Sequence, residues 1–268
     1  MRVNTNMNAM IAHNQMNKNT ALSGNAMEKI SSGLRITKAG DDAAGLAISE
    51  KMRAQIRGME QASRNTQDGV SLVQTAEGAM EETGNILQRM RELAVQGAND
   101  TNIDKDREKI QAELDQLTEE IDRIGTTTKF NGTDLLKTGT LTLQVGANAG
   151  EIIAIDLVQI DTNALTVNAI DVSTAGAAST AISDIDNAIE ALNKNRATFG
   201  AYQNRLETTV SNLTTASENL TAAESRIRDV DVAKEMINLS KLNILSQAAQ
   251  AMVGQAKQQP EGVLQLLR

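Results

Sequence analysis

Two stretches of the chain place apolar residues alternately three and four positions apart, each for almost fifty residues. In the first, Met52, Met59, Thr66, Val73, Met80, Leu87 and Ala94 fall seven apart. Ile48, Gln55, Ala62, Gly69, Ala76, Thr83 and Met90 each stand four residues ahead of them. In the second, Ile182, Ile185, Ile189, Leu192, Phe199, Leu206, Val210, Leu213, Leu220 and Ile227 keep the same phase. Such a repeat turns one face of a long helix toward its neighbours and winds the helices into a left-handed bundle. At about 1.5 Å per residue each rod extends roughly 70 Å. Rods of that length suit building rather than enclosing a substrate.

The 268 residues include one Pro, two Phe, one Tyr and no Trp or Cys. Aromatic side chains supply much of the buried area of ordinary domains, so a wide compact core is not expected. Met, Leu, Ile and Ala must instead be buried along narrow seams. With Pro260 the sole proline, almost every other position is free to continue a helix. A net charge of −8 without a basic stripe argues against nucleic acid as a partner. Charges alternate in sign on helical faces, as at Arg53, Arg57, Glu60 and Arg64, which reads as solvated surface. Without cysteine there are no disulfides and no thiolate metal sites. The first six residues are polar and lack the apolar core of a signal peptide. No segment approaches the roughly eighteen continuous apolar residues of a membrane span, so membrane insertion is not expected.

Val3, Met7, Met10, Ile11, Met16, Leu22, Met27, Ile30 and Leu34 predict a weakly amphipathic first helix. Gly33 and Gly40 interrupt it, and Asp41 or Asp42 is placed to cap a second helix over residues 43–97. A third spans residues 104–127, with Ile110, Leu114, Leu117, Ile121 and Ile124 on one face. Asn131-Gly132 marks a turn. Leu141, Leu143 and Val145, then Ile153, Ile155 and Leu157, alternate with other residues and predict a hairpin whose loop is residues 146–150. Residues 158–177 read as loop with a short strand or turn. Helices over 178–230 and 232–257 follow, and Pro260 is expected to end or kink the last.

The predicted fold is mainly α: a long antiparallel coiled-coil-like helical bundle with a small β-hairpin and both termini at one end. Residues 1–40 with 231–268 are expected to form a terminal coiled-coil inner-core domain. Residues 41–138 with 177–230 form a helical-bundle domain, and 139–176 supply the hairpin and a short connection. The apolar side chains of 1–35 and 235–268 are too sparse to offset the cost of ordering those backbones. Both arms are therefore expected to order only on burial among neighbouring subunits.

Catalytic chemistry finds no constellation. His13, the single histidine, lies among Asn14, Gln15 and Asn17 with no partner for acid–base work. Asp41-Asp42, Glu81-Glu82 and Glu119-Glu120 are adjacent, so on a helix they diverge by about 100°. Asp229-Val230-Asp231 lacks the glycine and terminal glutamate of a calcium loop. No glycine-rich phosphate loop occurs. Gly58, Gly69, Gly78 and Gly84, inside the second helix, are expected to admit close approach of other helices. No cofactor, metal or enzymatic activity is expected.

Ordered blocks along nearly the whole chain resemble bacterial flagellin. They are VNTN at 3–6, EKISSGLRI at 28–36, AGDDAAGLAI at 39–48 and QRMRELAVQ at 88–96. TKFNG at 128–132 and LQVGAN at 143–148 follow, then GAYQNRLE at 200–207, SRIRDVD at 225–231 and VLQLL at 263–267. The resemblance implies a structural subunit that self-assembles into the helical filament of the rotary flagellum, outside the cell. It implies terminal helices lining a narrow channel, a surrounding tube of longer helices with the hairpin, and only residues 139–176 in place of outer domains.

It also implies assembly contacts through the apolar residues of the arms. These are Val3, Met7, Ile11, Leu22, Ile30 and Leu34 at the amino end, and Met236, Leu239, Leu242, Leu245, Met252, Leu264 and Leu267 at the carboxyl end. Export unfolded through the flagellar type III apparatus is implied, as are an export chaperone and cap and hook-junction proteins as partners. The resemblance places Arg89, Leu93 and Glu113 where flagellins contact Toll-like receptor 5. The protein that joins hook to filament has related ends, but the block at 88–96 and the final Leu-Leu-Arg favour the filament subunit. A signalling coiled coil shares the heptads, yet would carry a membrane segment and no hairpin.

Overall fold

The computed structural model of the chain describes residues 6–266, with side chains through Gln258. Its elements are α1 (Met7–Ser32), α2 (Ala43–Gly97), α3 (Asp104–Thr127), β1 (Lys129–Phe130), β2 (Thr133–Asp134), β3 (Gly139–Gln144), β4 (Ile152–Leu157), α4 (Ala175–Arg228) and α5 (Val232–Leu266). The fold is mainly α. One compact unit joins the chain up to Ala54 with the chain from Asn219 onward, and the other spans Gln55–Glu218.

α2 starts where the Asp42 carboxylate accepts the Gly45 N–H at 2.9 Å, a side-chain cap on the first turn. With no proline and a seam that stays on one face, it runs for 55 residues. It ends where Arg107 of α3 donates to the Gly97 carbonyl at 3.1 Å, a cation at the negative end of a helix. Within Gln55–Glu218 the seam is the core. Thr66, Val73, Ala76, Met80, Thr83, Leu87, Met90 and Ala94 are wholly excluded from solvent. The two threonine hydroxyls donate back to the carbonyls of Ala62 (2.7 Å) and Ala79 (2.9 Å), so neither leaves an orphaned donor in an apolar seam. The same core holds Ile110, Leu114 and Ile121 of α3 and Ala181, Ile185, Ala188, Leu192, Phe199 and Leu206 of α4. Beyond Leu206 the predicted α4 seam continues only half-buried, at Val210, Leu213, Leu220 and Ile227.

Part of this core comes from chain without regular structure. Leu135, Leu136, Ile160, Leu165, Val167 and Val172 are buried in it. Side chains of α3 hold the segment where a ladder would otherwise do so. Gln111 donates to the Ile170 carbonyl (2.8 Å) and accepts the Val172 N–H (3.0 Å), so one amide makes the two bonds of a neighbouring strand. Asp122 accepts the N–H (2.9 Å) and the hydroxyl (3.0 Å) of Thr162. The stretch that reads as loop is loop, but packed loop.

Asn131 and Gly132, at φ 49° and 81°, make the two-residue turn between the antiparallel strands β1 and β2, a left-handed backbone that this pair tolerates. β3 pairs with β4 from Gly139–Leu157 to Gln144–Ile152, and the Val145 N–H donates to the Glu151 carbonyl (2.9 Å), which leaves residues 146–150 as the loop. Glu151 closes it by accepting the side-chain and backbone N–H groups of Asn148, which hold its carboxyl below the usual range.

The hairpin packs on α2 where α2 has no side chain. A Cβ at Gly58 would come within 2.8 Å of the Ala147 Cβ, and one at Gly69 would overlap Leu143. Of the four glycines expected to admit helices, Gly84 faces Leu192 of α4 and Gly69 faces Leu206 of α4 as well as the hairpin, while Gly58 meets only the hairpin and Gly78 faces open space. At Gly58 the hairpin approaches with the backbone and Cβ of Ala147, and at Gly69 with the Leu143 side chain.

A Cβ at Gly125 would overlap the carbonyl oxygen of Ile160 in the clamped segment. Gly125→Ala is therefore expected to lower stability by about 1–3 kcal/mol despite better helix propensity. Gly78→Ala is expected to raise it by about 0.5–1 kcal/mol. Thermal unfolding followed by circular dichroism checks both signs.

Candidate assembly surface

α1 and α5 pair within the unit that joins the two ends of the chain. Three contacts set their antiparallel alignment. The Asn6 amide donates to the Ala256 carbonyl (2.6 Å), the Ser23 hydroxyl donates to Asn243 Oδ1 (3.1 Å), and Leu34 bridges to Asp229. Buried and half-buried positions recur at alternating spacings of three and four. On α1 they include Ala9, Ala12, Met16, Asn19, Ser23, Ala26 and Ile30, and on α5 Leu239, Leu242, Ser246, Ala249, Val253 and Ala256. Most of these residues are small or polar.

The large apolar side chains lie on the other side. Met7, Met10, Ile11, Leu22 and Met27 of α1, and Val232, Met236, Ile237, Ile244, Leu245 and Met252 of α5, are each more than two-fifths exposed, Ile237 reaching 73%. A pair of helices stable by itself in water has the reverse arrangement. Apolar surface of this extent marks a place where something else packs.

Asn6 serves both helices. Its Oδ1 accepts the Ala9 N–H (3.1 Å) and caps α1, while its Nδ2 satisfies the Ala256 carbonyl. That carbonyl has no donor one turn later, because residue 260 is proline. α5 therefore continues through Pro260 to Leu266, past the end predicted near residue 257. The other end of the coil is pinned as well. α1 stops at Gly33, whose φ of 71° makes a left-handed cap. The Gly33 carbonyl accepts the Val230 N–H (3.0 Å), the Arg35 N–H donates to the Arg228 carbonyl (2.6 Å), and the Arg35 guanidinium donates to the Ile227 carbonyl.

Asp41 then gathers the N–H groups of Lys38 and Thr37 and the Thr37 hydroxyl, bonds that hold its carboxyl below the usual range. Two ion pairs join α2 to α4, Glu50 with Arg228 (2.5 Å) and Arg53 with Glu224 (2.8 Å). Glu224 and Arg228 are both buried. An antiparallel slip would set like charges against one another.

Among the residues expected to make assembly contacts, Met7, Ile11, Leu22, Met236, Leu245 and Met252 are on the exposed side. Ile30, Leu34 and Leu239 are half-buried, and Leu242 is 8% exposed in the seam. Val3 and Leu267 lie outside the described residues, as does the side chain of Leu264. Arg89 is a surface residue bonded to Glu113 (2.8 Å) and Glu92 (3.1 Å), and these carboxylates, Glu113 foremost, raise its pKa. Leu93 is 2% exposed and belongs to the core. His13 is exposed and bonded to Asn17. Among the described residues no three potential metal ligands come together, and no helix is long and apolar enough to cross a membrane.

Residues 3–142 match the family model of the bacterial flagellin N-terminal helical region, and residues 182–267 match that of the bacterial flagellin C-terminal helical region. The chain belongs to the bacterial flagellin family. It is 57% identical over 272 residues to a flagellin of Halalkalibacterium halodurans and 50% identical over 304 residues to one of Bacillus subtilis, with full coverage of both chains in each case. The crystal structure of Bacillus cereus flagellin aligns with 60% of the chain and 94% of its own length, at a TM-score of 0.51 and 38% identity. As a flagellin, the chain is a structural subunit of the flagellar filament, outside the cell.

Glu224→Gln sets a neutral amide against Arg53, in a pair where only the Glu224 side is buried, and is expected to cost about 1 kcal/mol. Adding Arg53→Gln is expected to cost less than the sum of the two single changes. A double-mutant cycle in urea measures the difference.

Proposed function

We propose that flagellin subunits of this kind join through the outward apolar faces of α1 and α5, each face meeting a different face on a neighbour. Contacts of that type need not close on themselves and so grow a helix. The observation that carries this reading is the inverted coil, with small side chains inside and large apolar ones exposed. Met7, Ile11, Leu22, Met236, Leu245 and Met252 are the contact residues, joined by Ile237 and Ile244 and, at the tips, by Val3, Leu264 and Leu267. Ile30, Leu34, Leu239 and Leu242 keep the coil closed.

Residues 1–40 with 231–268 then form the inner layer. Residues 41–138 with 177–230 form the tube around it, and 139–176 stand where outer domains would be. The role is structural rather than catalytic. A seam in which alanine, serine and asparagine outnumber its few larger residues, such as Ile30, Leu239 and Leu242, gains less from its own burial than a leucine-filled one, which supports arms that order only on assembly. Weakly held ends and the absence of cysteine suit export unfolded through the flagellar type III apparatus. An export chaperone would cover the same apolar faces inside the cell, and cap and hook-junction proteins would meet them at the filament ends.

Ile237→Asp with Ile244→Asp is expected to leave thermal unfolding of the isolated chain within about 0.5 kcal/mol of native. Seeded filament growth, followed by sedimentation and negative-stain microscopy, is expected to fall at least about tenfold. Amide exchange should show both arms unprotected in the isolated native chain and protected in filaments. Slow exchange in the isolated chain would count against ordering on assembly.

For Toll-like receptor 5, Arg89 and Glu113 form the proposed contact, with Leu93 supporting them from the core. Arg89→Ala with Glu113→Ala is expected to reduce receptor activation by the unassembled chain about tenfold. Unchanged activation would remove these residues from the contact.

A further inference from the structure

The α1–α5 coil leaves one question that burial alone does not answer: what selects its register. The inward seam is mostly alanine and medium aliphatic residues spaced three and four apart on both helices. A slip of one heptad, about 10 Å, would preserve that spacing and most of the apolar burial. Of the seam positions named above, Asn19, Ser23 and Ser246 are polar, and Asn19 is the largest of the three. It is 3% exposed, in the middle of the seam, and its amide oxygen accepts the Gln15 side-chain N–H at 3.3 Å. The alignment set by Asn6 with Ala256 and Ser23 with Asn243 places Asn19 level with the polar stretch from Asn243 to Ser246. A slip in one direction sets Asn19 against Val253 and Ser246 against Ala26. A slip in the other sets Asn19 against Leu239 and Ser246 against Ala12. Either slip sets Asn19 and Ser246, which lie level with each other in the observed register, against aliphatic partners instead, while the Gln15 bond lies within α1 and is the same in every register.

We infer that Asn19 is a register-determining residue of the terminal coil, acting in the middle of the seam alongside the contacts of Asn6, Ser23 and Leu34. A buried asparagine at a seam position lowers coil stability while excluding misaligned pairings. Here the excluded states would shift the exposed methionines and isoleucines of α5 along those of α1. The assembly surface would then differ from subunit to subunit. The consequence for assembly rests on the proposed contacts through α1 and α5, whereas the register itself does not.

The chain has no cysteine, so engineered pairs report without background. Ala26→Cys with Leu239→Cys reads the observed register. Ala26→Cys with Val232→Cys, and Met16→Cys with Ala256→Cys, read the two slipped ones. Each pair is introduced into otherwise native chain and into Asn19→Leu and Asn19→Gln backgrounds, then doped as a small minority into cysteine-free subunits during seeded growth. Intrachain disulfides are quantified after mild oxidation. With Asn19 present, slipped disulfides are expected at least about tenfold below the in-register one. In Asn19→Leu they should rise to within about threefold of it, and Asn19→Gln should restore most of the discrimination.

An unchanged pattern in Asn19→Leu overturns the inference. If Asn19→Leu enters filaments poorly, the same ratios are read on the fraction that sediments with the native subunits, where slipped disulfides no higher than in the Asn19 chain also overturn it. Failure of cysteine-free native chain to polymerise would instead overturn the assembly reading, independently of register.

Discussion

A helix of 55 residues is only as well placed as the face it keeps buried, and α2 keeps one face buried from Met59 to Ala94. That continuous seam orders the Gln55–Glu218 unit. α3 and α4 contribute Ile110, Leu114, Ile121, Ile185, Leu192 and Phe199 to the same core. With α3 set, its polar side chains can do work that a strand would otherwise do, Gln111 and Asp122 fastening an irregular segment over the core. The hairpin in turn needs the two gaps in α2 at Gly58 and Gly69. Remove the seam and none of these secondary attachments has a surface to attach to.

The terminal coil uses the same geometry with the opposite filling. Its inward positions carry Ala12, Asn19, Ser23, Ala26, Ser246 and Ala249, while Ile11, Met27, Ile237, Ile244 and Met252 face outward. Small inward residues let two backbones approach closely, but they bring little apolar area out of water. The specific polar contacts at Asn6, Ser23 and Gly33 therefore take a larger share in aligning the pair. Exposed apolar area of this size suits the coil to packing against other surfaces. Stability of the single chain and completeness of its surface are thus allotted to different parts of the molecule.

Sequence periodicity was an accurate guide where the buried residues were both large and regularly spaced. The boundaries of α2 and α3, the seam of α2 and the turn at Asn131-Gly132 all follow from local pattern and turn chemistry. It was a poor guide where burial fell on residues without hydrophobic signal. The inward face of α1 is mostly Ala, Asn and Ser, with only Met16 and Ile30 large, so a search for large apolar residues passes over it. The packed loop carries Ile160, Leu165, Val167 and Val172 at spacings that match neither helix nor strand. Pro260 misled for a related reason, since its cost to the helix depends on whether the vacated carbonyl finds another donor. That donor is Asn6, 250 residues away along the chain.

What the sequence determined by itself is the set of rods and their family. Heptad spacing acts within a few turns, and signature blocks at both ends need no coordinates to be read. What only the tertiary structure decided is which side of each terminal rod is covered. Every helix has several faces, and local sequence ranks them by hydrophobicity alone. In the arms the most hydrophobic face is the one left open, because close backbone packing and a few long-range hydrogen bonds select the other.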